Sequence, residues 1–221
     1  MINYGFVKVA VASPKLRVAD PDFNTKEIEK QIREADSKGT TLLVFPELCV
    51  TGYTCADLFA QKSLIDKSLD CLKKLLKNTE STSVVCFVGM PLVLEHRLYN
   101  CAFAIQQGGV LGIVPKMYLP NYKEFYEKRW FTPGKGISRK ISEVKILGRV
   151  VPFGNLIFRC EDPDFSFGVE ICEDLWVAVP PSSYQALNGA TVIANLSASN
   201  ELVSKSDYRR LLVLQQSARC V

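Results

Sequence analysis

Three apolar, β-favouring runs end on residue types that can do chemistry together: "LLVFPE" on Glu47, "LGIVPK" on Lys116 and "FGVEIC" on Cys172. A fourth, "VIANLSAS", ends on Asn195, Ser197 and Ser199. Taken singly, each has an ordinary explanation. A cysteine at a strand end is a small core residue, a terminal Glu or Lys is solvated, and Asn and Ser form turns. The case rests on the combination. A thiol becomes a strong nucleophile when it loses its proton, and a nearby carboxylate can take that proton. Desolvation raises a carboxylate's proton affinity and brings it closer to that of the thiol. A lysine beside them balances charge and can donate to the oxyanion formed when sulfur attacks a carbonyl carbon. Glu, Lys and Cys are therefore a coherent acyl-transfer set that needs no imidazole.

That last property matters because the chain of 221 residues contains a single histidine. His96 lies in "EHR", which reads as an exposed turn between two strands, so Cys–His and Ser–His–Asp mechanisms are both excluded. No GxxxxGK[ST] phosphate loop or GxGxxG dinucleotide fingerprint occurs. Without a CxxC pair or a second histidine, a zinc site is not expected.

The elements that must position these residues alternate in type. Strands are expected over 5–13, 40–47, 83–94, 97–106, 110–116, 154–161, 165–172 and 191–199. Helices are expected over 25–37, where Ile28, Ile32 and Ala35 share a face, and over 61–77, 183–188 and 204–218. "EHR" and "QGG" supply turns, 118–131 is irregular and aromatic, and "TPGKG" reads as a loop. In open α/β sheets, ligands bind beyond the carboxyl ends of strands. The four polar strand ends are thus expected to converge on one pocket in an α/β domain built on a mixed sheet.

Composition agrees with a soluble globular domain: 48% hydrophobic, 23% charged and a formal net charge of +4. No block of like charges marks a nucleic-acid surface, and a base-stacking platform at 118–131 lacks the basic groove it would need. The longest apolar run, "VVCFVGMPLVL" (84–94), is too short for a membrane helix. "MINYGFVKVAVAS" lacks an export signal. The eight cysteines fall largely in apolar runs, which suits reduced, buried thiols and a cytoplasmic protein.

Three ordered blocks, "VFPELCVTGY" (44–53), "PKMYLPNYKEFYEKRWFTPG" (115–134) and "GVEICEDLW" (168–176), resemble the signatures of the nitrilase, or carbon–nitrogen hydrolase, superfamily. "YLPNYKEFYEKRWF" and "ICEDLW" make the likeness closest to the N-terminal glutaminase domains of bacterial glutamine-dependent NAD+ synthetases. The resemblance implies a four-layer αββα sandwich, with Glu47 as general base, Lys116 as oxyanion-stabilising cation and Cys172 as nucleophile. It implies a second, supporting glutamate, for which Glu127 fits best and Glu124 competes. It also implies that Tyr53, Tyr122, Glu127, Trp176 and Ser199 hold glutamine. The side-chain amide would be hydrolysed through a glutamyl thioester.

In that family a synthetase domain follows, using ATP and magnesium to amidate nicotinic acid adenine dinucleotide with the ammonia released. Residues 1–221 correspond to the hydrolase domain alone, which needs no cofactor or metal. "RRLLVLQQSARCV" ends without a polar tail, so the fold is expected to be incomplete at its C-terminus and the chain to be the front part of something longer. Its expected partners are glutamine, a C-terminal synthetase domain and further copies of itself in a homo-oligomer, without nucleic acid or membrane. Two other readings stay open: a nitrilase-type amidase for a small aliphatic or ω-amide, and a non-catalytic nitrilase-like scaffold.

Overall fold

A computed structural model describes residues 5–138 and 140–220. The outermost residues of the expected 1–221 domain, 1–4 and 221, lie outside that description. Five strands form the first sheet in sequential order: β1 (Val9–Val11), β2 (Leu42–Val44), β3 (Val85–Leu94), β4 (Arg97–Gln106) and β5 (Gly109–Pro115). β1, β2 and β3 run parallel, and β3, β4 and β5 form an antiparallel meander. The remaining strands are β6 (Glu143–Ile146), β7 (Arg149–Pro152), β8 (Ile157–Glu161), β9 (Asp164–Ile171) and β10 (Val192–Leu196). A second sheet has the order β10-β9-β8, with β9 and β10 parallel.

The two-residue periodicity of the central strands explains how the layers meet. On β3, Cys86, Val88 and Met90 face helices α1 (Pro21–Ser37) and α2 (Lys62–Asn78), whereas Val85 and Phe87 face the second sheet. Phe87, Phe158 and Phe167 meet between the sheets with ring centroids 5.5–5.8 Å apart. α4 (Pro181–Leu187) packs on the outer side of β9. α5 (Lys205–Arg219) reaches α4 through Gln216, whose side-chain amide donates to Ser182 and Ser183. The order helix, sheet, sheet, helix is the expected αββα sandwich.

Helix starts follow local chemistry: the Asp20 carboxylate caps α1 by accepting from Phe23 N at 3.0 Å, and Pro21 occupies the first turn. No helix among the described residues is long and apolar enough to cross a membrane.

The structure differs from the sequence expectations at element ends. The strand expected over 40–47 stops at Val44, because Pro46 has no N–H to continue the ladder and the chain turns at Leu48, whose φ is +51°. β1 and β10 are likewise shorter than 5–13 and 191–199. "TPGKG" is not a plain loop: Gly134–Ile137 forms one helical turn, α3, whose first N–H donates to Lys116 O at 2.7 Å. The β6–β7 hairpin is an element that the sequence reading lacks. It turns at Leu147 and Gly148, both at positive φ, and buries Val144, Ile146 and Val151 beside the α1/α2 core. His96 sits with Glu95 in an exposed turn at positive φ, as expected.

Candidate active site

Glu47, Lys116 and Cys172 all lie just past strand ends on one edge of the sandwich. Glu47 follows β2 by three residues, and its turn packs against Gly89 of β3. A Cβ built at Gly89 would stand 2.4 Å from Leu48 N and 2.6 Å from Pro46 O, so only glycine lets the turn approach. Lys116 follows β5 directly, with its N–H still donating to Asn100 O at 2.8 Å. Cys172 opens a 3-10 turn, Cys172–Trp176, directly after β9, and adopts a left-handed φ of +46°. For a non-glycine residue that conformation is costly and is held only where the surroundings enforce it.

The side chains form a buried ionic cluster. Lys116 Nζ, with no side-chain exposure, donates to Glu47 Oε1 at 2.6 Å and to Glu127 Oε1 at 2.7 Å. Glu47 also accepts from Asn100 Nδ2 at 2.7 Å and, through Oε2, from the backbone N–H of Ala198 at 3.2 Å. Tyr53 donates its hydroxyl proton to Glu127 Oε1 at 2.7 Å, while Glu127 Oε2 is buried without a partner among the described residues. Glu127 is therefore the second glutamate of this cluster. Glu124, on the same irregular segment, is exposed and takes no part in the ionic cluster.

Electrostatics follow from one cation shared by two carboxylates. Burial, reinforced by the charge of Glu47, pushes Glu127 up to about 7 against the pull of Lys116. Burial disfavours the Lys116 charge, yet Glu47 and Glu127 outweigh it and keep the amine strongly protonated. Cys172 is 7% exposed. Its thiol is pushed up to about 12 by burial and by Glu47, with Lys116 opposing. The balance favours the neutral thiol. A thiol in this setting could act as a nucleophile only by giving up its proton, and a neighbouring carboxylate is a chemically suitable acceptor.

A cavity of about 340 Å³ leads to Glu127 and is lined by Tyr53, Glu124, Phe125, Tyr126, Trp130 and Ala198, among others. The aromatic segment 118–131 thus walls the pocket. Trp176 ends the 3-10 turn, with its ring 5.4 Å from that of Tyr208 and Lys205 Nζ also 5.4 Å from its centroid. Ser199 lies half-buried in the segment after β10, between the cavity-lining Ala198 and Asn200. Tyr122 is not drawn to the ionic cluster; its hydroxyl donates to Glu173 Oε2 at 2.9 Å, nearer the surface.

The expectation that four strand ends converge needs one correction. Ala194 and Leu196 face the inter-sheet core, so Asn195 faces the other way and donates to Glu170 at 3.3 Å. What the segment beyond β10 contributes to the cluster is the Ala198 N–H on Glu47 and the Ser197 hydroxyl, which hydrogen-bonds the Cys172 thiol. Two residues that sequence reading passed over belong to the neighbourhood. Asn100 orients Glu47, and Asp174, fully buried, accepts from the backbone around both Cys172 and Lys116. A polar Asn100 inside the apolar "YNCAFAI" was the available signal for the first.

Residues 8–220 match the model of the carbon–nitrogen hydrolase family. The chain belongs to that family. This carbon–nitrogen hydrolase is 43% identical over 221 residues to the glutamine-dependent NAD(+) synthetase of Mycobacterium bovis, covering 99% of this chain and 32% of the relative. It is 33% identical over 211 residues to that of Arabidopsis thaliana, covering 92% and 29%. The chain thus spans about a third of the length of these curated relatives. Among solved structures, the Cytophaga hutchinsonii glutamine-dependent NAD(+) synthetase superposes with a TM-score of 0.84 at 29% identity, over 97% of this chain and 34% of that one. An amidase from Nesterenkonia sp., 18% identical, shares the fold with a TM-score of 0.72 over 95% of this chain and 71% of that one. The fold of this carbon–nitrogen hydrolase is accordingly nitrilase-like.

Proposed function

We propose that this chain hydrolyses the side-chain amide of glutamine, with Cys172 as nucleophile, Glu47 as proton carrier and Lys116 as oxyanion-stabilising cation. The observation that carries this reading is the buried Lys116 amine held between Glu47 and Glu127, whose charges act on the Cys172 thiol. As Glu47 takes the thiol proton, sulfur bonds to the amide carbon and the carbonyl oxygen becomes an oxyanion beside Lys116. Collapse breaks the C–N bond, and the proton on Glu47 leaves with nitrogen as ammonia, giving a glutamyl thioester. Water then attacks the thioester carbon as Glu47 takes one of its protons. That proton returns to the departing sulfur, releasing glutamate and the free thiol.

The pocket's chemistry suits an amino acid whose far end carries both charges. Glu124 at the cavity offers a carboxylate for an α-ammonium. Lys205, with Nζ 5.2 Å from the Phe125 ring, offers a cation for an α-carboxylate. Tyr53, Tyr122, Trp176 and Ser199 are the further substrate contacts of this reading. The relatives' names and their threefold greater length support a wider role. In it, the ammonia serves an ATP- and magnesium-dependent synthetase domain that converts nicotinic acid adenine dinucleotide to NAD+, in a homo-oligomer. The hydrolase site itself needs no cofactor.

The test is ammonia release by the intact protein from glutamine, asparagine, propionamide and other ω-amides. Preference for glutamine by at least tenfold in kcat/KM is expected. Preference for a simple aliphatic amide would instead make the chain a general nitrilase-type amidase.

A further inference from the structure

Lys116 and Cys172 belong to different sheets, and their relative placement has to be set by something between the sheets. Asp174 is built for that task. Its carboxylate is fully buried and accepts from three backbone N–H groups on two segments of chain. Oδ2 accepts from Ile171 N at 3.0 Å, one residue before Cys172. Oδ1 accepts from Met117 N at 3.1 Å and Tyr118 N at 2.8 Å, the two residues directly after Lys116. These N–H groups lie where the chain leaves β9 and β5, so the sheet ladders no longer satisfy them.

A single carboxylate therefore fastens the end of β5 to the turn that holds Cys172 at positive φ. Other contacts fix Lys116 within its own sheet: its N–H bonds to Asn100 O and its O accepts from Gly134 N. Among the described residues, Asp174 supplies the side-chain hydrogen bonds that join the backbone flanking Lys116 to the backbone flanking Cys172. Burial pushes the Asp174 carboxyl up to about 8, and the Ile171 and Tyr118 N–H groups pull the other way. The three bonds hold whichever form is present, since both oxygens accept from backbone.

We propose that Asp174 is a positioning residue, one that touches no substrate but sets the placement of the Cys172 sulfur relative to the Lys116 amine. The inference rests on the reading of those two residues as nucleophile and oxyanion partner. A misplacement on the order of 1 Å can cost about a hundredfold in rate while leaving binding contacts intact. Asp174→Asn keeps the shape but turns an amide N–H₂ toward backbone donors, so the clamp opens on at least one side.

The experiment uses the intact protein and reads two quantities. The first is the split of glutamine turnover into kcat and KM. The second is the rate at which iodoacetamide alkylates Cys172, followed on the Cys172 peptide by mass spectrometry, which needs no glutamine turnover. For Asp174→Asn, kcat is expected to fall by about thirtyfold to three-hundredfold with KM within about threefold, and alkylation to slow by about tenfold or more. Val144→Ala, in the β6–β7 hairpin, provides a destabilised control whose kcat and alkylation rate per folded molecule stay unchanged. A folded Asp174→Asn protein with normal kcat and alkylation, or with KM alone raised, would overturn the proposal. Should that variant not fold, Asp174→Glu, which keeps the carboxyl group and both acceptor oxygens but displaces them, is judged by the same outcomes. If the unsubstituted protein fails to hydrolyse glutamine, the substrate reading falls, while the alkylation comparison still decides the role of Asp174.

Discussion

Replacing Lys116 with methionine probes the ionic cluster without leaving a large void. Lys116 Nζ is 2.6 Å and 2.7 Å from oxygens of two buried carboxylates, so its removal exposes them to each other. Two negative charges roughly 5 Å apart repel by about 3 kcal/mol at an effective dielectric constant of 20. That matches the cost of about 3–5 kcal/mol for removing one partner of a buried ion pair. The pair can shed the repulsion by taking up a proton, and a fold that binds a proton more tightly than the unfolded chain loses stability as pH rises. Urea denaturation of Lys116→Met against the unsubstituted protein should therefore show a stability loss larger at pH 8 than at pH 5, by about 2 kcal/mol. Glutamine turnover should fall by about a hundredfold to a thousandfold, the range seen on loss of one oxyanion donor. An equal loss of stability at both pH values would refute the electrostatic argument, because it would mean that only packing had been removed.

Three further outcomes follow from the same geometry. Asn100→Ala removes a hydrogen bond to the Glu47 carboxylate. At about 1.5–3 kcal/mol for a bond to a charged group, steady-state kcat/KM should drop by about tenfold to a hundredfold. Gly89→Ala drives a methyl group to within 2.4 Å of Leu48 N, and should cost about 3 kcal/mol or more in urea denaturation while displacing Glu47. Glu127, held up to about 7, keeps in the folded state a proton that the unfolded chain loses near pH 4.5. Stability should therefore decline as pH rises through that window, and Glu127→Gln should flatten the decline in thermal unfolding measured across pH 4–8.

Much of this architecture is legible in residue order because strand ends are local. An apolar run that stops on Glu, Lys or Cys announces both an element and a direction, and parallel strands bring such ends to one edge. The helix faces of Ile28, Ile32 and Ala35 and of Leu64, Ile65, Leu72, Leu75 and Leu76 are equally local, and all eight residues are buried. The aromatic segment at 118–131 left two glutamates open. Only the fold separates Glu127, turned inward to Lys116, from exposed Glu124.

Contacts between distant backbone and side chain leave no periodic trace. Asn100 meets Glu47 across 53 residues and Asp174 meets Met117 across 57, so neither pairing shows in spacing. The β6–β7 hairpin is hidden for another reason. Its turn places Leu147 at positive φ, where Gly, Asn or Asp would have signalled the reversal. Asn195 shows the reverse failure: a polar residue near a strand end looked like part of the site, but one position of register turned it to the outer face.

The most direct measurement is acid-quenched intact-mass spectrometry of the protein mixed with glutamine, with peptide mapping of any acyl adduct. A transient glutamyl thioester on Cys172, absent in Cys172→Ala and strongly reduced in Glu47→Gln, is the result predicted. Ammonia release without an adduct on Cys172, or an adduct that forms equally fast when Glu47 is glutamine, would contradict thiol activation by this histidine-free cluster.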